Sequence, residues 1–104
     1  MARCPHLDSV AIAQLPPQVD GCEECLAEGT AWCHLRICLA CGHVGCCDSS
    51  PGRHATAHAE SSGHPVVRSI QPGEDWAWCY VDGLGLRVPQ VSGETRIPQS
   101  PLCP

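Results

Sequence analysis

The residues of this chain best suited to chemistry are cysteines and histidines that recur at short, fixed spacings between Cys22 and His64. Twelve residues separate two C-x2-C pairs, and four residues separate the second pair from Cys46, which is followed by three spaced histidines. Thiolate and imidazole groups are preferred zinc ligands, and a C-x2-C pair can grip one ion from a single turn of chain. The spacing therefore predicts tetrahedral zinc sites within 43 residues.

Two interleaved sites use all eight of these ligands, whereas a single four-cysteine ribbon leaves half of them without a role. The expected pairing gives one Cys3His set and one Cys2His2 set, and hence two zinc ions. The sets are Cys22, Cys25, Cys46 and His54 for the first ion, and Cys38, Cys41, His58 and His64 for the second. In an alternative arrangement, His54 and His58 lie one helical turn apart and grip the same ion.

This pattern does not predict catalysis. In the H-E-x-x-H motif of metalloproteases a glutamate between the histidines acts as general base, but here the intervening residues are Ala-Thr-Ala. A site closed by four protein ligands also has no open position for water. The remaining candidates for a base, His34 and His43, have no supporting carboxylate. We therefore predict structural metals, no catalytic residue and no enzymatic activity.

The composition explains why such a chain needs metals. Its 104 residues contain no Phe, one Tyr and three Trp, but ten Gly and ten Pro, so the core is thin. Ten cysteines could instead form disulfides, but six histidines accompany them and the N-terminus has no apolar run typical of a signal peptide. We therefore expect a cytoplasmic protein with bound metal ions. Each ion is expected to supply folding free energy on the order of 10 kcal/mol.

Charge and hydropathy limit the partners. The sequence contains eleven acidic residues and six basic ones, and all six basic residues are Arg. Nucleic-acid affinity rests largely on basic side chains that contact phosphates, so a nucleic-acid partner is not expected. No segment approaches the ~20 apolar residues that cross a membrane. We expect a monomer that binds neither nucleic acid nor membrane.

The segments around the ligands predict the elements that position them. Residues 31–37 alternate in character and indicate a strand leading into the second C-x2-C pair. The sequence Ser49-Ser50-Pro51 is typical of a helix start, so a helix is expected from residue 52 or 53 to Ser62, ended by Gly63. Further short strands are expected at residues 66–70, 76–81 and 83–88.

The two ends of the chain are expected to contribute less. Residues 7–15 can form one short helix before the paired prolines. Residues 89–104 have too little apolar content to pack, which predicts a flexible tail after a single folded domain of residues 1–88. Cys33 is expected to be a small buried side chain rather than a ligand, and Cys103 to be incidental.

The order of these motifs resembles the ubiquitin-specific-protease type zinc finger, also called the UBP or BUZ finger, over roughly residues 4–88. The matching features are an early Cys-x-His, C-x2-C, Trp32, C-x2-C-G-x-V-G-C, three histidines ending in Ser62-Gly63-His64-Pro65, and Trp78-Cys79-Tyr80. The resemblance extends to small stand-alone members such as those of bacteria. It implies an α+β fold with a twisted antiparallel sheet, one main helix and up to three zinc ions.

The resemblance also implies a third metal site. Its ligands would be Cys4, His6 and Cys79, with Asp82 at the place of a family cysteine. A carboxylate can ligate zinc, but an aspartate before Gly83 is equally typical of a turn.

A ligand pocket is implied as well. In ubiquitin-binding members this pocket takes a free C-terminal Gly-Gly carboxylate between aromatic side chains, whose positions match Trp32, Trp78 and Tyr80. Trp76 is expected to be a sheet-face residue instead. The family arginine that contacts the carboxylate is replaced here by Asp48, which would repel it. Arg53 is the nearest candidate to take over that role.

We therefore predict a zinc-binding recognition module for the C-terminus of a protein or peptide. Asp48 weighs against ubiquitin itself. Two alternatives stay open: a binder of the ubiquitin C-terminus proper, and a redox-responsive or metal-responsive zinc protein in which Cys33, Cys47 or a ligand thiolate reacts.

Overall fold

A five-stranded antiparallel sheet organises the chain. The computed structural model describes residues 4–103. In chain order the elements are a 3-10 turn Pro5–Ser9, α1 Glu23–Glu28, β1 Leu35–Cys38, β2 Val44–Cys46, α2 His54–Ser62, β3 Val66–Ser69, β4 Trp76–Cys79 and β5 Leu84–Arg87. The strands are ordered β2-β1-β3-β4-β5, and each neighbouring pair is antiparallel. The predicted α+β class is confirmed.

Alternation along β4 separates the two faces of the sheet. Ala77 and Cys79 are fully buried, whereas Trp76 and Trp78 are each 37% exposed. Successive side chains of a strand point to opposite faces, so this pattern assigns the core to the Ala77 side. Ile37 lies on that side through its pairing with β3 and is also buried. The opposite face therefore presents two tryptophans to solvent.

The main helix ends as predicted but begins differently. Gly63 adopts the left-handed conformation, with φ of 78°, immediately after α2. The N-cap residue, immediately before His54, is Arg53, which has a φ of 44° and makes no side-chain capping hydrogen bond. Instead, the backbone N–H of His54 donates to the Cys46 sulfur at 3.2 Å. The Ser50 hydroxyl, predicted to cap the helix, accepts a backbone N–H from the segment before β1.

Close packing of α2 on β2 depends on Gly45. A Cβ added there would lie 2.6 Å from the backbone nitrogen of Ala55, which is closer than real side chains approach. The absence of a side chain therefore lets the first turn of α2 come against the strand that ends in Cys46. This contact brings a helix histidine and a strand cysteine together.

The N-terminal segment is largely extended rather than helical. Only the 3-10 turn forms, and the chain beyond it bonds to other parts of the fold. Ala11 donates its N–H to the Leu39 carbonyl at 2.8 Å, and Leu15 donates to the Ser92 carbonyl at 2.8 Å. The helix predicted for residues 7–15 is wrong because the segment finds its backbone partners at a distance in sequence.

The C-terminal segment packs onto this extended segment, which corrects the prediction of a flexible tail at residues 89–104. Val91 is buried, with 4% of its surface exposed. Arg96 accepts the N–H of Val19 at 3.0 Å and donates its own to Pro17 at 2.9 Å. A disulfide between Cys33 and Cys103 ties the end of the segment down. The folded unit thus extends past residue 88 to Cys103, and Pro104 lies outside the described residues.

The helices are short. The longest, α2, has nine residues. Within residues 4–103, none of the helices has the length and apolar character required to cross a bilayer.

Candidate metal centres and aromatic cleft

The first predicted ligand set converges on one point. The Nδ1 atom of His54 lies 3.3 Å from the sulfur of Cys22 and 3.4 Å from the sulfurs of Cys25 and Cys46. The Cys25 and Cys46 sulfurs are 3.9 Å apart. At ordinary zinc bond lengths a tetrahedron has edges of about 3.6 Å between sulfur and nitrogen and about 3.8 Å between sulfurs. The four atoms therefore fit one tetrahedral zinc ion.

Three elements bring this first set together. Cys22 caps the N-terminus of α1 and Cys25 lies within it, Cys46 ends β2, and His54 begins α2. The opposite ring nitrogen of His54, Nε2, lies 3.7 Å from a Glu28 carboxylate oxygen. A carboxylate behind a ligating histidine is a common way to orient its ring. Burial raises the pKa of the Cys22 and Cys46 thiols, so a cation is needed to hold them as thiolates.

The second predicted set also converges. The Cys38 sulfur lies 3.5 Å from Nδ1 of His64, and the Cys41 sulfur lies 3.3 Å from Nε2 of His58. All four ligand atoms lie within 4.8 Å of one another. His58 comes from the middle of α2 and His64 follows its end, so one helix serves two clusters. The alternative in which His54 and His58 grip the same ion is therefore wrong.

Residues outside the predicted sets support the second cluster. The His43 ring stacks on His58, with centroids 4.0 Å apart, and its Nε2 atom lies 2.7 Å from a Glu24 carboxylate oxygen. Burial, followed by the neighbouring His43 and His64, lowers the pKa of His58. This favours the neutral imidazole that metals require. The sequence nominated His43 only as a candidate base without a supporting carboxylate, whereas the structure places Glu24 beside it.

The third set, implied by the family resemblance, has a different geometry at its carboxylate. Nδ1 of His6 lies 3.6 Å from the Cys4 sulfur and 3.5 Å from the Cys79 sulfur. An oxygen of Asp82 lies 2.8 Å from the Cys4 sulfur, nearer than the edge of about 3.6 Å in a zinc tetrahedron. This hydrogen bond raises the pKa of Cys4 to about 11 and lowers that of Asp82. The four residues fit zinc if the carboxylate moves outward.

An aromatic cleft of about 240 Å³ lies on the exposed face of the sheet. The residues that line it are Arg36, Cys47, Asp48, Ser49, Val67, Trp76, Trp78 and Tyr80. Trp78 and Tyr80 therefore lie where the sequence predicts a ligand pocket. Trp32 and Arg53 do not line the cleft, which corrects their assignment. Trp32 is 8% exposed and packs over Gly21, and Arg53 is exposed at the start of α2.

The spacing of the ligands and their arrangement match a known family. Residues 22–87 fit the family model described as the zinc finger of ubiquitin hydrolases and other proteins. The chain belongs to the UBP-type zinc-finger family. Because the matched range contains the first two ligand sets complete, the family and the geometry together support zinc as the cofactor.

A solved structure extends the similarity of this UBP-type finger to nearly its full length. The solution NMR structure of protein RPA1320 from Rhodopseudomonas palustris is 42% identical, with a TM-score of 0.78. The match covers 95% of this chain and 97% of that one. The similarity therefore includes segments before and after residues 22–87.

Arg36 and Trp76 are among the residues that line the cleft of the UBP-type finger but that the sequence did not nominate as ligand contacts. The guanidinium carbon of Arg36 lies 4.5 Å from the centre of the Trp76 ring, a distance suited to a cation–π contact. The sequence feature that could have identified Trp76 is its alternation with Trp78 and Tyr80, which places all three side chains on one face of the predicted strand. Arg36 could be placed there only by knowing that β1 and β4 both pair with β3.

Asp48, at the position of the family arginine, is held on the rim of the cleft. The Thr56 hydroxyl of α2 donates a hydrogen bond to its carboxylate and lies 3.4 Å from the Tyr80 hydroxyl. Burial raises the pKa of Tyr80, so its hydroxyl stays neutral. The Asp48 carboxylate is thus hydrogen-bonded to α2 through the Thr56 hydroxyl, which is neutral and does not cancel its negative charge.

Proposed function

We propose that this UBP-type finger is a non-enzymatic, zinc-stabilised module that binds the free C-terminus of a protein or peptide in its aromatic cleft. The observation that carries the proposal is the pair of exposed tryptophans beside Arg36. The chain has only three Trp and no Phe, yet Trp76 and Trp78 are each 37% exposed. Large apolar side chains left exposed together commonly mark a binding surface.

Charge supports a carboxylate ligand on one side of this cleft. Arg36 is the only cationic side chain among the described residues that line it. A guanidinium can bind a carboxylate through two parallel hydrogen bonds, and the Arg36 guanidinium lies over the Trp76 ring at 4.5 Å from its centre. Asp48 also lines the cleft, and its carboxylate accepts a hydrogen bond from the Thr56 hydroxyl. The ligand carboxylate is expected on the Arg36 side.

The metals support a structural role rather than a catalytic one. Each of the three clusters offers four protein ligands, which leaves no open coordination position for water or substrate. We propose three zinc ions, with Asp82 as the fourth ligand of the third. Three clusters of reduced cysteines also favour a reducing compartment such as the cytoplasm.

Recognition of ubiquitin is the narrower form of the proposal. Asp48 at the family's arginine position works against a carboxylate that approaches from that side, whereas Arg36 attracts one. The chemistry of the cleft selects a free chain terminus with small final residues, since 240 Å³ holds only a few residues beside two indole rings. An unrelated C-terminus and the C-terminus of ubiquitin would therefore bind at the same site.

A peptide titration tests the proposal. A peptide ending in Gly-Gly with a free carboxylate is expected to produce a saturable change in Trp fluorescence, which the amidated peptide does not. The Arg36→Gln variant should bind about 10-fold to 100-fold more weakly, because a hydrogen bond to a charged group contributes about 1.5–3 kcal/mol.

Arg87→Gln is the matched control, since Arg87 is an exposed arginine on the same sheet that pairs with Asp75 outside the cleft. It should bind as tightly as the unchanged chain. No saturable signal at millimolar peptide, or equal binding of free and amidated peptides, would remove the proposal. Replacing the free peptide with full-length ubiquitin then distinguishes the narrower form.

A further inference from the structure

A fourth group of soft ligands lies outside the three clusters. The ligand atoms of Cys33, His34 and Cys47 all lie within 4.8 Å of one another. Cys33 and Cys47 are both buried, at 3% and 6% exposure. Cys33 is joined to Cys103 by a disulfide, so a further sulfur is adjacent to the group. Three cysteines and one histidine thus converge, which is the ligand set of a known class of structural zinc site.

The backbone holds two of these residues together independently of the disulfide. Cys47 donates its N–H to the His34 carbonyl at 2.9 Å, just beyond the paired ends of β1 and β2. The N–H of Cys33 donates to the Ser50 hydroxyl at 2.7 Å. The Cys47 sulfur lies 3.6 Å from the same hydroxyl. Breaking the disulfide therefore leaves Cys33, His34 and Cys47 in place.

Cys103 is also held near the group by contacts other than the disulfide. The Ser100 hydroxyl donates to the Trp32 carbonyl at 2.9 Å, and Leu102 donates its N–H to the same carbonyl at 3.3 Å. Cys103 donates its own N–H to the Ser100 hydroxyl at 2.9 Å. These bonds keep the last turn of the chain beside Trp32. The sulfur of Cys103 can thus stay close once it is reduced.

We propose that Cys33, His34, Cys47 and Cys103 form a redox-gated metal site that binds Zn²⁺ only when the disulfide is reduced. In the oxidised state the Cys33 and Cys103 sulfurs are bonded to each other, and two ligands are too few for a tetrahedral site. An external dithiol gives two electrons and two protons to the Cys33 and Cys103 sulfurs and becomes a disulfide itself. Binding of Zn²⁺ then releases the thiol protons of the three cysteines to solvent.

The other cysteines argue that the reduced state is populated. Eight cysteines carry free thiols, and all but Cys47 belong to the three clusters, which bind metal only as thiols or thiolates. An environment that keeps these seven reduced also favours reduction of Cys33 and Cys103. Cys47 also lines the aromatic cleft. Metal binding at this site would therefore change a residue of the surface that we propose binds a chain terminus.

Zinc counting on the full chain tests the site. The protein is loaded with Zn²⁺ and its native mass is measured before and after treatment with a phosphine, which reduces the disulfide and becomes a phosphine oxide. One additional zinc ion per chain is expected after reduction. Cys47→Ser keeps the disulfide but removes one ligand, so it should gain none. Equal counts in the unchanged chain, or a gain that persists in Cys47→Ser, would overturn the proposal.

A second measurement needs no variant. Cys103 is exposed, so in the reduced chain iodoacetamide alkylates its thiol, and peptide mapping reports the rate. With zinc limited to three ions per chain the reaction should be fast, and with excess Zn²⁺ at least about 10-fold slower. Unchanged alkylation of Cys103 in excess zinc would show that the sulfur does not ligate the ion.

Discussion

Treatment of the folded protein with a strong zinc chelator at neutral pH should abolish its far-UV circular dichroism signal. Among residues 4–103, the largest fully buried side chains include four cysteines of the metal clusters and four aliphatic residues of Leu, Ile or Val type. Structural zinc contributes about 10 kcal/mol or more in zinc-finger peptides, comparable to the 5–15 kcal/mol that holds a typical domain. Circular dichroism during chelation, followed by zinc readdition, measures this directly.

The control for this experiment is the same chelator saturated with zinc, which should leave the signal unchanged. The Cys33–Cys103 disulfide does not replace the metals, because it joins two positions outside the three clusters. Retention of the helix and strand signals after complete removal of zinc would show that the core suffices without metal.

The Cys46→Ser substitution should cost at least about 4 kcal/mol of unfolding free energy and one bound zinc ion. The Cys46 sulfur is fully buried, lies in the first cluster, and accepts the first N–H of α2 at 3.2 Å. Its replacement therefore weakens the metal site and the helix start together. Losses of this size are characteristic of a lost metal or a broken buried network. Urea unfolding gives the stability, and native mass spectrometry gives the zinc count.

The adjacent Cys47→Ser substitution is the matched control. Cys47 is also buried, at 6% exposure, but lies outside the three clusters. With the disulfide intact, this variant should keep every zinc ion and lose only about 1 kcal/mol. Equal losses in the two variants would mean that burial of a sulfur, and not metal binding, sets the cost.

The first two metal clusters were predictable from sequence because each contains ligands that are close in the chain, whereas the third, which joins Cys4 and His6 to Cys79 and Asp82, was implied only by the family resemblance. A C-x2-C pair fixes two corners of a tetrahedron locally, and the four-residue spacing of His54 and His58 follows one helical turn. Sequence left open whether those two histidines share an ion. The packing of Gly45 against α2 shows that they do not, because it places His54 beside Cys46, whereas His58, one turn further along the helix, lies beside Cys41.

The cleft and the chain ends were less predictable because they depend on pairing between distant segments. Arg36 reaches Trp76 only through the β1-β3-β4 order of the sheet. Trp32 was assigned to the cleft from the family resemblance, but it lies before β1, which begins at Leu35, and its ring packs over Gly21. Likewise, residues 89–103 look too polar to pack, yet their backbone pairs with residues 13–19, a contact that composition does not reveal.

The most direct test of the metal-built fold is the native mass of the folded, non-reduced chain. The three clusters, each with four ligands, predict a mass excess of three zinc ions, which should disappear together with the folded charge-state distribution on chelation. A chain that is folded and carries no zinc would contradict a fold built around these clusters.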